Sequence, residues 1–128
     1  MGDVGDLKAC VPGRRASVAL RVGDDDTAKA IGSGDVAVLG TPRVLAIAEQ
    51  ASVDALGDCL GPELTTVGSW VEIDHMAPSK VGDDVQATAV LLGVHGRRLE
   101  FSVTVTSKEK EVAHVRHRRM IVERTKFS

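Results

Sequence analysis

"GTPRVLAIAEQASVDAL", residues 40–56, decides the fold. Thr41 is a good helix N-cap, and Pro42 suits the first helical position, where its missing N–H costs nothing. On a helical wheel Arg43, Gln50, Asp54 and Asp58 gather on one side. Val44, Leu45, Ala48, Ala51, Ser52, Ala55 and Leu56 fill the opposite side. The pattern runs to Gly61-Pro62, which predicts a helix of about four to five turns. A helix so long and so apolar must be wrapped by something else. Glu49 is its anomaly: it falls beside Leu45, Ser52 and Leu56, away from the other charges.

Working outward, "RRASVALRV" (14–22) alternates as a strand does, and residues 1–13 read as a loose lead-in. "GDDDTAKAIGSGDVAVLG" (23–40) mixes a short helical turn with glycines and reads as a connection or lid. After the helix everything reads as strand. "TTVGSWVEIDHMA" (65–77) leads to a turn at "PSKVGDD" (78–84). "VQATAVLLGV" (85–94) meets "RRLEFSVTVTS" (97–107) in a tight hairpin across His95-Gly96, and "KEKE" (108–111) turns into "VAHVRHRRMIVER" (112–124). One strand, one long helix, then three or four antiparallel strands is an α+β order. The economical packing is a single domain, 1–128, with a curved antiparallel β-sheet wrapped around one long central α-helix: the hot-dog arrangement.

At 128 residues and 43% hydrophobic content the chain has enough material for one core, and global disorder is excluded. Its aromatic residues are Trp70, Phe101 and Phe127, too few for the stacking platforms of single-strand nucleic-acid binders. No apolar run is long enough to span a bilayer, and "MGDVGDLKAC" lacks the features of a signal peptide, so a soluble cytoplasmic protein is expected. Cys10 and Cys59 have no metal-type spacing and read as free thiols. His75, His95, His114 and His117 are scattered, so no metal is expected. The net charge of −2 hides an asymmetry, since residues from Arg97 onward carry nine basic groups against four acids. That split suits a small anionic ligand or an acidic surface on a second subunit. The last strands need cover, so a homodimer with edge-paired sheets is expected.

Strand alternation places Ser69, Val71, Ile73, His75 and Ala77 on one face of 65–77, the apolar face that should meet the helix. His75 therefore points inward, as Glu49 does. Two inward ionisable groups are costly, because desolvating a charge costs several kcal/mol unless it is paired. Either they pair structurally or they converge on one cavity as a site. Thr41 adds a hydroxyl at the helix start, where backbone N–H groups and the dipole favour negative charge.

These residues resemble the hot-dog-fold acyl-CoA thioesterases, in particular the fluoroacetyl-CoA thioesterase-like branch. The resemblance covers roughly Gly40 to Phe127. Thr41 with Glu49 eight residues on is similar to that branch's catalytic threonine and glutamate. "TVGSWVEIDHMAP" resembles its strand with a glycine seven residues before the catalytic histidine, here Gly68 and His75. "GVHGRRLEFSV" and "HRRMIVERTKF" resemble its hairpin and last strand, which gives His117 and Arg119 family counterparts. The segment between Val22 and Thr41 departs: it holds no aromatic residue, whereas the member that names the branch has a phenylalanine near its acyl pocket. Fluoroacetyl-CoA is therefore not carried over as the substrate.

The resemblance implies hydrolysis of a small or medium acyl-CoA, with coenzyme A entering as part of the substrate and no separate cofactor. Thr41, with backbone N–H groups near the helix start or Gly68, would bind the oxyanion. Glu49 would act as nucleophile or as general base for water, and His75 would handle water and proton. Arg119 suits the phosphates of coenzyme A. An enoyl-CoA hydratase on the same fold would need a "DxNPxH"-like run, which the chain lacks. A non-catalytic acyl-CoA-binding or regulatory hot-dog protein is the alternative, and the presence of Thr41, Glu49 and His75 together argues against it. Nucleic acid and membrane are not expected partners.

Overall fold

The structure, a computed structural model, describes residues 9–127. Five strands form one antiparallel sheet in the order β1-β3-β4-β5-β2, with β1 at Arg15–Arg21, β2 at Leu64–His75, β3 at Asp84–His95, β4 at Arg98–Ser107 and β5 at Lys110–Glu123. A short helix α1, Ala28–Ile31, precedes the long helix α2, Thr41–Leu56. The sheet curls around α2, which packs chiefly on β1 and β3. This is the hot-dog architecture.

α2 buries Val44, Ile47, Ala48, Ala51, Ser52, Ala55 and Leu56. Three alanines and a serine in that stripe let the helix lie close to the sheet, against a core that includes Ala87, Ala89, Leu91, Phe101, Val103 and Val115. Ser52 stays dry because its hydroxyl donates to the Ala48 carbonyl at 2.9 Å. Two expectations about the ends of α2 need correction. Its N-cap is Gly40, not Thr41, which is already the first helical residue. A side chain at position 40 would be tight, since a Cβ there would lie 3.2 Å from the Ala28 backbone and would displace the Ile31 side chain. Its end is Gly57, four residues before Gly61, with φ 55°. There the Arg14 guanidinium donates to the Ala55 carbonyl at 2.9 Å, and a Cβ on Gly57 would strike it at 2.8 Å.

Both hairpins have two-residue turns. The first is Gly96-Arg97, one residue later than the alternation suggested, because β3 runs on to His95, which pairs with Arg98. The second, Lys108-Glu109, places both residues at positive φ (53° and 65°) without a glycine.

Cys10 and Cys59 are not free thiols: they form a disulfide with Cα atoms 5.2 Å apart. A separation of 49 residues carries no pairing signal in a sequence. The first eight residues of the lead-in lie outside the described residues. At its end Cys10 is buried, and Gly13 N–H donates to the Leu91 carbonyl at 2.8 Å.

β2 is the strand that positions the candidate site. It pairs with β5 on one side, and among the described residues no strand pairs with its other edge. A bulge at Ser69, between Gly68↔Arg119 and Trp70↔Arg118, changes which side chains face inward. Val71, Ile73 and His75 share the inner face with buried His117, Val115 and Ala113, while before the bulge Thr66 and Gly68 do. α2 covers little of this strand, so inner-face Val71 stays substantially exposed, as do Val67 and Trp70 on the outer face.

Candidate active site

The inner face of β2 meets α2 at two separate places. At the start of α2, Thr41 Oγ1 and His75 Nδ1 lie 2.8 Å apart. They line a cavity of about 290 Å³ with Ala28, Val38, Leu39 and Met76. Having no capping duty, the Thr41 hydroxyl is free for this contact. His75 Nε2 is shielded from solvent and has no hydrogen-bond partner among the described residues. Burial holds the His75 pKa below the ordinary imidazole value, which favours the neutral ring.

The wall of this cavity is held by Asp26. Its carboxylate accepts from Gly23 N–H at 2.8 Å and from Arg43 Nε at 2.8 Å, and its backbone carbonyl accepts from Gly40 N–H at 3.0 Å. The 23–40 connection is thereby tied to the first turn of α2, one residue from Thr41. Bridges Thr27↔Leu39 and Val38↔Lys80 complete that wall.

The second place is two turns along α2. Glu49 Oε2 accepts from an Arg119 terminal N–H at 3.2 Å and rests against Gly68, where a Cβ would approach it to 2.6 Å. Gly68 is what lets the carboxylate lie on the strand. His117 Nδ1 must donate to the Trp70 carbonyl at 2.9 Å, since a carbonyl only accepts. The other nitrogen, Nε2, then presents its lone pair to Arg119 at 3.1 Å. Burial first, and Arg119 in addition, hold the His117 pKa low. So the 3.9 Å approach of His117 to Glu49 is not an ion pair; the pair that holds Glu49 is with Arg119. Arg119 is anchored further by Thr66, through Oγ1 at 2.8 Å and the carbonyl at 3.2 Å. Glu49 and His117, with Leu45, Gly68, Trp70 and Val71, line a cavity of about 240 Å³.

Within one chain Glu49 and His75 do not converge. Thr41 and Glu49 are eight residues apart on one helix, about 12 Å. Gly68 and His75 are seven apart on one strand, about 23 Å. Nor is Glu49 deeply buried, with 39% of its side chain exposed. Arg119, expected to meet the phosphates of coenzyme A, is turned inward and only 7% exposed. Thr66 and the partners of His117 gave no sequence signal beyond inward alternation on β2 and β5. Among the described residues no group of three or more His, Cys, Asp or Glu could hold a metal ion, and no helix is long and apolar enough to cross a membrane.

The family model described as "FlK: Fluoroacetyl-CoA-specific thioesterase" matches residues 22–125, and every residue of both cavities falls inside that span. The chain belongs to this family. A relative from Streptantibioticus cattleyicolor, "Fluoroacetyl-CoA thioesterase", is 30% identical over 91 residues, 71% of this chain and 66% of its own length, just under two thirds. A structure of the fluoroacetyl-CoA thioesterase FlK superposes with a TM-score of 0.83 at 27% identity and covers 91% of each chain. A mutant of FlK in complex with fluoroacetate and CoA gives 0.85 at 25% identity, covering 92% of this chain and 99% of that one. A hot-dog-like protein from Thermanaerovibrio acidaminovorans gives 0.84 at 24% identity, covering 96% and 90%, and shares the fold. Against the fluoroacetyl-CoA thioesterase family, Cys10 and the whole of β1 lie outside the matched residues.

Proposed function

We propose that this protein hydrolyses the thioester of a small or medium acyl-CoA, and that its active site is shared between two subunits of a homodimer. The observation that carries the reading is the Thr41–His75 hydrogen bond at the start of α2, with Glu49 held on Gly68 farther along the same helix. Membership in a family of thioester hydrolases supports it.

The free edge of β2 supplies the dimer. A long unpaired edge with exposed Val67, Trp70 and Val71 calls for a partner strand. Antiparallel pairing of two β2 strands about a two-fold axis near the middle of the strand brings the Gly68 end of one subunit alongside the His75 end of the other. Glu49 of the partner subunit then faces Thr41 and His75 across the seam, and the two cavities become one.

In that site His75 Nδ1–H donates to Thr41 Oγ1, leaving the threonine hydroxyl proton for the thioester oxygen. The Thr41 backbone N–H, which has no intrahelical partner at this first helical position, is a second donor. As the carbonyl carbon is attacked, negative charge grows on that oxygen and these donors stabilise it. Glu49 attacks as nucleophile, giving an acyl-glutamyl anhydride that water opens, or takes a proton from the attacking water. The thiolate of CoA leaves, and the acyl group ends as the free acid. Arg119 fixes the direction of the Glu49 carboxylate, and His117 and Thr66 fix Arg119.

The test is turnover of a panel of short, medium, branched and aryl acyl-CoA esters beside Glu49→Gln. Free CoA should be released from at least one ester, and the variant should lose about 10²-fold or more in kcat. Binding of acyl-CoA with no turnover of any ester would instead favour the non-catalytic acyl-CoA-binding alternative.

A further inference from the structure

An acyl-CoA carries a diphosphate and a 3′-phosphate at the far end of its pantetheine arm, and Arg119 is too deeply engaged to meet them. A third cavity, of about 360 Å³, lies between the 78–84 turn and the β4–β5 hairpin, with Lys80, Lys108 and Lys110 on its walls. It shares Ala77 and Pro78 with the Thr41–His75 cavity, so the two adjoin across that small apolar ridge.

The two acids there, Asp83 and Glu111, have contacts of their own. Asp83 accepts from Lys80 N–H at 2.9 Å and pairs with Lys108 Nζ at 3.5 Å, and Glu111 lies 3.4 Å from His114 Nδ1. The ammonium groups of Lys80 and Lys110 have no carboxylate within salt-bridge distance among the described residues. Distance agrees as well. His75 sits opposite Ala113 on β5, and Lys110 is three residues before it, about 10 Å away along the strand. A lysine side chain adds several ångströms. From thioester sulfur to the first phosphorus the pantetheine arm is about a dozen bonds, on the order of 15 Å extended.

We propose that Lys80 and Lys110 bind the phosphate groups of coenzyme A, with the pantetheine arm crossing the Ala77–Pro78 ridge to reach Thr41 and His75. This rests on the acyl-CoA reading of the site. Two flexible, hydrated ammonium groups suit phosphates that vary in position, and they need no fixed fork.

The double variant Lys80→Glu, Lys110→Glu changes exposed side chains and should fold normally. Its kinetics are measured on one acyl group presented two ways, as the CoA ester and as the N-acetylcysteamine ester, which has no phosphate. The KM for the CoA ester should rise about tenfold or more with kcat kept, and the N-acetylcysteamine ester should be unaffected. An unchanged KM, or an equal change for both esters, would overturn the assignment. Calorimetric binding of CoA itself separates the two claims. If the wild type hydrolyses neither ester, the thioesterase reading fails, and the lysine site then stands only if wild type binds CoA and the double variant binds it about tenfold more weakly. Equal affinities, or no binding to wild type, would end it.

Discussion

Thr41 Oγ1 and His75 Nδ1 lie 2.8 Å apart, joining the first residue of α2 to the last of β2. Thr41 is exposed in the chain and its hydroxyl caps nothing, so this bond contributes little to stability. Thr41→Ala should lower kcat about 10²-fold and shift the stability by no more than about 0.5 kcal/mol. Thr41→Ser should keep most of the activity. Steady-state kinetics beside thermal melts check both, and a Thr41→Ala variant of full activity would count against the role given to the hydroxyl.

Gly68 is required by Glu49 and not by its own backbone, whose φ is ordinary for any residue. A Cβ there would sit 2.6 Å from Glu49 Oε2 and 3.3 Å from His117 Cε1. Gly68→Ala should therefore leave the fold intact and push the carboxylate off Arg119. The expected result is a fall in kcat of about tenfold or more with KM nearly unchanged, since about 1 Å of misplacement can cost 10²-fold. Unaltered kcat would show that the position of Glu49 on the strand is immaterial.

Burial lowers the pKa values of His75 and His117 below 6.5, their ordinary value. As the pH falls through that value, the unfolded chain takes up protons that the folded chain still refuses. The stability these neutral rings support is complete above about pH 6.5 and is eroded below it. Urea midpoints should be flat from about pH 8 to 7 and decline toward pH 5, with a shallower decline in His75→Asn. A midpoint that rises on acidification would contradict the neutral assignment.

The Cys10–Cys59 disulfide fastens the segment before β1 to the residues just past α2. Closing a loop of 49 residues is worth up to about 4 kcal/mol by chain entropy. Reduction, or Cys59→Ser, should lower the melting temperature by several degrees, and intact-mass analysis without reductant should show the oxidised chain. Thiol titration finding two free cysteines in the purified native protein would remove the bridge from the account.

Much of this architecture was legible because each element announces itself locally. The apolar stripe on 44–56, the alternation of the later strands and the two short turns leave few other packings. Errors arose where a contact distant in sequence decides the outcome. Thr41 has the chemistry of an N-cap, but the helix starts one residue earlier on Gly40, packed against the Ala28 backbone, and His75 takes the hydroxyl. Gly57 ends α2 under the Arg14 side chain, contributed from more than forty residues earlier. Of the site, Glu49 and His75 stood out as inward ionisable residues on apolar faces. Their grouping did not, because Arg119, His117 and Thr66 acquire their roles only when β2 and β5 align around the Ser69 bulge. In that alignment Glu49 and His75 stand well apart within one chain.

Subunit complementation tests that last point most directly. Glu49→Gln and His75→Ala variants are purified separately, mixed in equal amounts, dissociated and reassembled. In a shared site each mixed dimer has one intact half-pair, His75 from one subunit and Glu49 of the partner subunit, and half the dimers are mixed. Activity should return to about one quarter of wild type. Activity no higher than the mean of the two variants would place the reacting groups within a single chain and contradict the account.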